Sequence, residues 1–215
     1  MVPRRRGRLI AFEGGEGCGK STQAARMAEE IGALLTHEPG ATPLGAELRR
    51  LALQPPGAPA VESRAETLMM LADRAQHVAE VVRPALDAGT DVVTDRYSHS
   101  TLAYQGYGRG LDIADLRQLC GWATGELWPD LVVLLTVPRQ VAVARAGRPT
   151  DRLEAAGEDF HRRVTAGFEA MAAGEPHRWL VVDGSGDEDG VAALVLEGWS
   201  AWEASRPERP ERPGE

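Results

Sequence analysis

The chain has little lysine and little cysteine. Of its 24 basic residues one, Lys20, is lysine and the rest are arginine. Its two cysteines, Cys18 and Cys120, are too few for a disulfide framework or a cysteine metal centre. No apolar run approaches the roughly 20 residues of a membrane span. The basic opening Met1–Arg8 lacks the apolar core of a signal peptide. A cytoplasmic protein without a membrane partner is therefore expected. Internal repeats and signs of a second domain are absent, and 215 residues suit one domain with a real core. Positive charge is also in deficit: the net charge of -8 argues against general affinity for nucleic acid. An anionic substrate must then be drawn by local arginines.

The most informative stretch is Glu13-Gly14-Gly15-Glu16-Gly17-Cys18-Gly19-Lys20-Ser21-Thr22. It follows the apolar run Leu9 to Phe12 and precedes a segment with helical spacing, the context a phosphate-binding P-loop requires. Glycines let successive backbone N–H groups turn inward around a polyphosphate. The following helix points its positive end at the same anion. Lys20 is placed to reach the β- and γ-phosphates of ATP as an exposed loop lysine, and Ser21 to ligate Mg²⁺. A compact ammonium in a chain that otherwise uses arginine fits that task.

Short apolar strands are expected at 9–12, 33–36, 91–94, 131–136 and 179–182. Helices are expected at 20–31, 43–53, 62–88, 98–104, 113–124, 138–145, 158–173 and 188–202. In the long stretch 62–88, Leu68, Leu71, Val78 and Val81 form an apolar stripe, and Pro84 should kink or restart the helix. Alternating elements of this kind predict an α/β, three-layer P-loop NTPase fold: a central parallel sheet of about five strands with helices on both faces. Ligands then gather at the carboxyl ends of the strands. The expected boundaries are a basic arm over 1–7, one domain over 8–205 with a lid at 145–154, and a disordered tail over 206–215.

Further groups suit phosphate chemistry. Asp95 and Arg96 end a strand: the acid can hold Mg²⁺ and the arginine a second phosphate; a plain surface ion pair is the alternative. Arg145, Arg148 and Arg152 surround Gly147 and Pro149, as an arginine-rich lid or as a solvated basic loop. Glu16 lies where a carboxylate would be repelled by polyphosphate, so it either accepts from a sugar hydroxyl or faces solvent. Gln105 can read a base edge, because an amide both donates and accepts, or it ends a helix packed on the core.

At these residues the sequence resembles bacterial thymidylate kinases. The shared stretches are the P-loop, Glu38-Pro39-Gly40, Leu48-Arg49, Ala72-Asp73-Arg74, Asp95-Arg96-Tyr97, Ser100-Thr101 through Tyr104-Gln105-Gly106 to Gly110, and Asp151-Arg152-Leu153-Glu154. The resemblance implies transfer of the γ-phosphoryl of ATP to dTMP by a homodimer. It implies that residues 14–22 hold ATP and that Ser21 and Asp95 organise Mg²⁺. Arg74 and Arg96 would fix the dTMP phosphate with help from Arg49, and Glu16 would take the sugar 3′-hydroxyl. Gln105 and Arg74 would address thymine, Tyr104 would pack on the deoxyribose, and Pro39 and Ser100 would complete the pocket. Lys20, Asp95, Arg96 and the lid arginines would carry catalysis. Three residues depart from the family pattern: His37 stands for arginine, Ala41 for glycine, and Met70 for the aromatic that stacks on thymine. A kinase for another nucleotide and a non-catalytic nucleotide switch are the competing readings. The second phosphate grip argues against the switch.

Overall fold

The computed structural model describes residues 6–205. The expected tail, and the expected arm apart from Arg6 and Gly7, lie outside the described residues. The strands are β1 (Leu9–Glu13), β2 (Leu34–His37), β3 (Val92–Asp95), β4 (Leu131–Thr136) and β5 (Trp179–Asp183). They form one parallel sheet in the order β2-β3-β1-β4-β5. The helices are α1 (Lys20–Ile31), α2 (Pro43–Ala52), α3 (Ser63–His77), α4 (Arg83–Asp87), α5 (Ser98–Thr101), α6 (Ile113–Thr124), α7 (Arg139–Ala146), α8 (Glu158–Gly174) and α9 (Glu188–Ala204).

Strand side chains alternate between faces, so residue parity divides the core. Ile10, Phe12, Val93, Leu131, Val133 and Val182 meet α1 and α9 in one apolar cluster. On the other face Val132, Leu134 and Trp179 meet α6, α8 and the segment after α5. Leu9, Ala11 and Val92 meet the end of the long helix and Tyr97. This is the expected three-layer α/β arrangement, with β1 in the centre and the P-loop at its carboxyl end.

Capping explains the helix bounds that sequence spacing predicts well. Gly32 and Gly125 adopt left-handed conformations after α1 and α6, and Asp112 and Thr42 cap the starts of α6 and α2. The stripe on α3 needs correction. Leu71 and Val78 are buried, but Leu68 is 61% exposed and Val81 is half-buried. Leu68 lies off the face of α3 that buries Thr67, Met70, Leu71 and Arg74, and at Val81 a π-helical turn over Val78–Val82 shifts the facing residue before α4 restarts around Pro84. A second π segment, Leu102–Gly108, continues α5 and carries Tyr104 and Gln105.

Candidate active site

The P-loop turns on glycines with positive φ at Gly14, Gly17 and Gly19. At Gly17 a side chain is excluded twice: φ is +71°, and a Cβ would come within 2.3 Å of the Ala142 carbonyl oxygen on α7. The helix leading to the lid thus rests directly on the loop. The cap of α1, Gly19, offers no side-chain acceptor, which leaves the first amides of the helix free for an anion. Lys20 is not an open loop lysine. It is 6% exposed and its Nζ donates to the Gly15 carbonyl at 2.7 Å. The Ser21 hydroxyl donates to the Asp95 carboxylate, whose second oxygen, Oδ1, is buried with no hydrogen-bond partner.

Arg96 joins the P-loop to the next element. Its Nη1 donates to the Gly14 carbonyl at 3.2 Å and to Ser100 Oγ at 3.1 Å. Its Nη2 donates to Tyr104 Oη at 3.1 Å and pairs with Glu16. The guanidinium also lies 5.0 Å from the centroid of the Tyr104 ring. Tyr104 Oη donates to Glu16 at 3.0 Å. Arg96, and less strongly Lys20, hold the Glu16 pKa down to about 2 against the opposing effect of burial.

Arg96 itself has a φ of +72°, rare for a residue with a side chain. The next turn is held by Glu13, which sequence reasoning did not select. Glu13 Oε1 accepts from the backbone N–H groups of Tyr97 and Ser100, each at 3.0 Å, and Oε2 from Ser100 Oγ at 2.6 Å. The available signal was an acid at the end of an otherwise apolar strand.

Burial raises the Glu13 pKa from 4.5 to about 7, outweighing its hydrogen bonds and the nearby Arg96. A carboxyl raised on folding binds its proton more tightly in the native state. Its contribution to stability is full below the unfolded value and is lost as pH rises through the folded value. We expect the wild type to lose up to about 3 kcal/mol from this group between pH 4.5 and 8. Glu13→Gln should flatten that slope in urea unfolding at several pH values; an unchanged slope would rule the assignment out.

At the other end, a cavity of about 120 Å³ gathers all the substrate-side residues singled out from sequence: Glu16, Pro39, Arg49, Met70, Arg74, Arg96, Ser100, Tyr104 and Gln105. Asp151, Leu153 and Glu154 reach it from the lid. A larger cavity, about 370 Å³ and lined by His99, Arg117 and Trp128 among others, shares no residue with the first or with the P-loop. The substrate-side residues singled out from sequence line the smaller one alone. Arg49 donates to the Pro39 carbonyl at 2.8 Å and so shapes the wall. Of the departures from the family pattern, His37 pairs in register with Asp95, and Met70 is 9% exposed.

Arg74, expected to help fix the acceptor phosphate, lines the cavity and is anchored by protein. It is buried, and each of its nitrogens already has a protein partner: Glu38 at 2.7 Å, Thr101 Oγ1 at 2.8 Å and the Tyr97 carbonyl at 3.0 Å. Burial opposes its charge, yet the Glu38 carboxylate prevails and raises its pKa. Glu38 is further bonded to His77 Nδ1 at 2.8 Å. Asp73 accepts from the Gly40 N–H at 2.8 Å. These contacts fasten the Glu38-Pro39-Gly40 turn to α3.

The three lid arginines do not converge. Arg145 donates to the carbonyls of Gly184, Ser185 and Gly186 after β5. Arg152 donates through Nε to the Ala52 carbonyl at 2.6 Å and pairs through Nη1 with buried Glu66 at 2.7 Å. Arg148 is exposed and has no ion-pair or hydrogen-bond partner among the described residues.

Comparison with known proteins gives one answer. The model of the thymidylate kinase family matches residues 12–195. The chain is 49% identical over 197 residues to a thymidylate kinase of Synechococcus sp. (strain JA-2-3B'a(2-13)), covering 89% of this chain and 92% of that one. It is 48% identical over 203 residues to that of Leifsonia xyli subsp. xyli, covering 90% and 95%. The crystal structure of thymidylate kinase from Ehrlichia chaffeensis superposes with a TM-score of 0.74 at 29% identity, covering 89% of this chain and 98% of that one.

Proposed function

The chain belongs to the thymidylate kinase family, and we propose that it transfers the γ-phosphoryl group of ATP to dTMP, giving dTDP and ADP. The observation that carries this reading is a cavity lined by the residues expected to meet base, sugar and phosphate, with Glu16 of the P-loop and Arg96, bonded to Gly14, on its wall. A donor polyphosphate on the loop and an acceptor phosphate on Arg96 would then meet across Gly14.

Mg²⁺ fits the oxygen donors present: the Ser21 hydroxyl and Asp95, whose buried Oδ1 lacks a partner. When bound, the ion would neutralise charge on the phosphates. Lys20 exchanges the Gly15 carbonyl for donor phosphate oxygens. The acceptor phosphate takes the place of Glu16 on Arg96, which frees Glu16 and Tyr104 Oη for the sugar hydroxyl. Arg74 is fixed in place by Glu38, Thr101 and the Tyr97 carbonyl, which take three of its five N–H groups, and it faces the base and phosphate from the cavity wall. Among the lid arginines Arg148 is free to swing toward the transferred group, while Arg145 and Arg152 anchor the two ends of the lid. The direct test is ADP release from ATP and Mg²⁺ against a panel of nucleoside monophosphates, with the wild type beside Arg148→Ala. Preference for another nucleotide would overturn the substrate. An Arg148→Ala effect confined to KM would reduce that residue to binding.

The homodimer belongs to the same reading. Leu44 and Leu51 on α2, Leu68 on α3, and Leu119 and Trp122 on α6 are exposed large apolar side chains on packed neighbouring helices. Light scattering should give twice the 23.1 kDa chain mass at micromolar concentration; a monomer would remove the dimer. No helix among the described residues is long and apolar enough to cross a membrane, and the reading carries a cytoplasmic location with it.

Met70 should cost some base affinity. Aromatic pairs contribute roughly 0.5–1.5 kcal/mol beyond burial and sulfur–aromatic contacts roughly 0.3–1.5. We therefore expect Met70→Phe to lower KM for dTMP a few-fold, about tenfold at most, with kcat little changed. Preference for dTMP over dUMP should persist, because residue 70 meets the ring face and not its edge. A higher KM in steady-state kinetics would mean that the pocket is built around methionine.

A further inference from the structure

Glu66 lies on α3, one turn before Met70, with no exposed surface. Its two oxygens are held unequally, although Arg109 reaches both. Oε1 accepts from Gln105 Nε2 at 2.8 Å and, at 3.5 Å, from Arg109 Nε. Oε2 accepts from Arg152 Nη1 at 2.7 Å and from Arg109 Nη2 at 3.2 Å. A carboxylate held by two guanidiniums accepts hydrogen bonds and offers none. Gln105 must therefore turn its amide nitrogen to Glu66, since the reverse orientation would set two oxygens against each other. Its carbonyl Oε1 has no hydrogen-bond partner among the described residues, and Gln105 lines the substrate cavity with Met70 and Arg74.

A carbonyl fixed in this direction accepts from an N–H. Thymine and uracil carry a hydrogen on N3; cytosine carries a lone pair there. We propose that Glu66 is a positioning residue for base selection: it locks the Gln105 amide so that the pocket takes 4-oxo pyrimidines and rejects 4-amino pyrimidines. The proposal rests on the reading of the cavity as a nucleotide site in which Gln105 meets the base edge.

The substitution Glu66→Gln makes a directional test. The shorter arginine contacts, from Arg152 and from Arg109 Nη2, lie at Oε2 and will draw the new carbonyl oxygen, which puts the new NH₂ group against Gln105. The Gln105 amide must then flip and present its nitrogen to the cavity, the complement of cytosine. The experiment measures kcat/KM for dTMP, dUMP and dCMP in the wild type, Glu66→Gln, Glu66→Asp and Gln105→Leu. We expect the dTMP-to-dCMP ratio to fall at least tenfold in Glu66→Gln and to be largely kept in Glu66→Asp, which preserves an acceptor-only group. The dTMP-to-dUMP ratio should not move, because both bases carry the N3 hydrogen; mere loosening of the pocket would lower all three substrates together and overturn the proposal. If Gln105→Leu lowers the dTMP-to-dCMP ratio and Glu66→Gln does not, Gln105 reads the base but Glu66 does not orient it, and the proposal falls alone. If Gln105→Leu leaves the ratio unchanged, the reading of Gln105 falls with it. Should Glu66→Gln fail to fold, the same ratio is taken from dissociation constants in Glu66→Gln/Arg152→Gln, where the buried charge leaves together with one counter-charge.

Discussion

Lys20→Ala is expected to lower kcat by about three orders of magnitude while the protein stays folded. Electrostatic groups aimed at developing charge contribute about 10²–10³ each when removed singly, and a chain with no second lysine has no substitute ammonium. Burial of Lys20 changes the expected effect on stability. Its Nζ holds the Gly15 carbonyl, so some loss is expected, of about 1 kcal/mol. That loss is small because the freed carbonyl borders the open phosphate site and alanine suits a helix start. ADP release and thermal melting together decide the matter. Retention of a tenth or more of kcat would exclude Lys20 from catalysis, and a collapsed melting transition would make it structural.

Arg96→Lys is expected to cut kcat/KM for dTMP at least a hundredfold even though the charge survives. The guanidinium touches the Gly14 carbonyl, Ser100 Oγ, Tyr104 Oη and Glu16 at once. A single ammonium nitrogen cannot span those groups and also offer a planar pair of donors to a phosphate. The backbone makes a second comparison available. A side chain at φ +72° costs roughly 1–2 kcal/mol, so Arg96→Gly should partly offset its lost contacts in urea unfolding yet be the less active variant. Arg96→Lys within fivefold of the wild type would show that charge alone suffices there.

Much of this arrangement is legible in the sequence, for identifiable reasons. The P-loop declares itself because its glycines, lysine and serine lie in one stretch. The bounds of α1, α6 and β4 follow from local signals: capping residues, and a run of six apolar or small residues. The π segments at Val78–Val82 and Leu102–Gly108 are not legible. Hydrophobic periodicity assumes 3.6 residues per turn, and the wider turn is decided by what packs against it. Nor are Glu13 and Glu66. Composition treats a carboxylate as a surface group, and each is buried by partners far along the chain: Ser100 is 87 residues from Glu13, and Gln105 is 39 from Glu66. The lid arginines illustrate the reverse. They are adjacent in sequence but engage different parts of the fold.

The central place of β1 has a consequence for descent. Asp95 ends β3, the immediate neighbour of β1, and Arg96 follows it, so the groups proposed to grip the two phosphates are set by one ladder of paired strands. Met70, Glu66 and Gln105 stand on helical segments that pack over the sheet. Substitutions on those helices, residue 70 among them, can be accepted without shifting the frame that carries Asp95 and Arg96. A lineage built this way can revise which base it accepts while inheriting phosphoryl transfer intact.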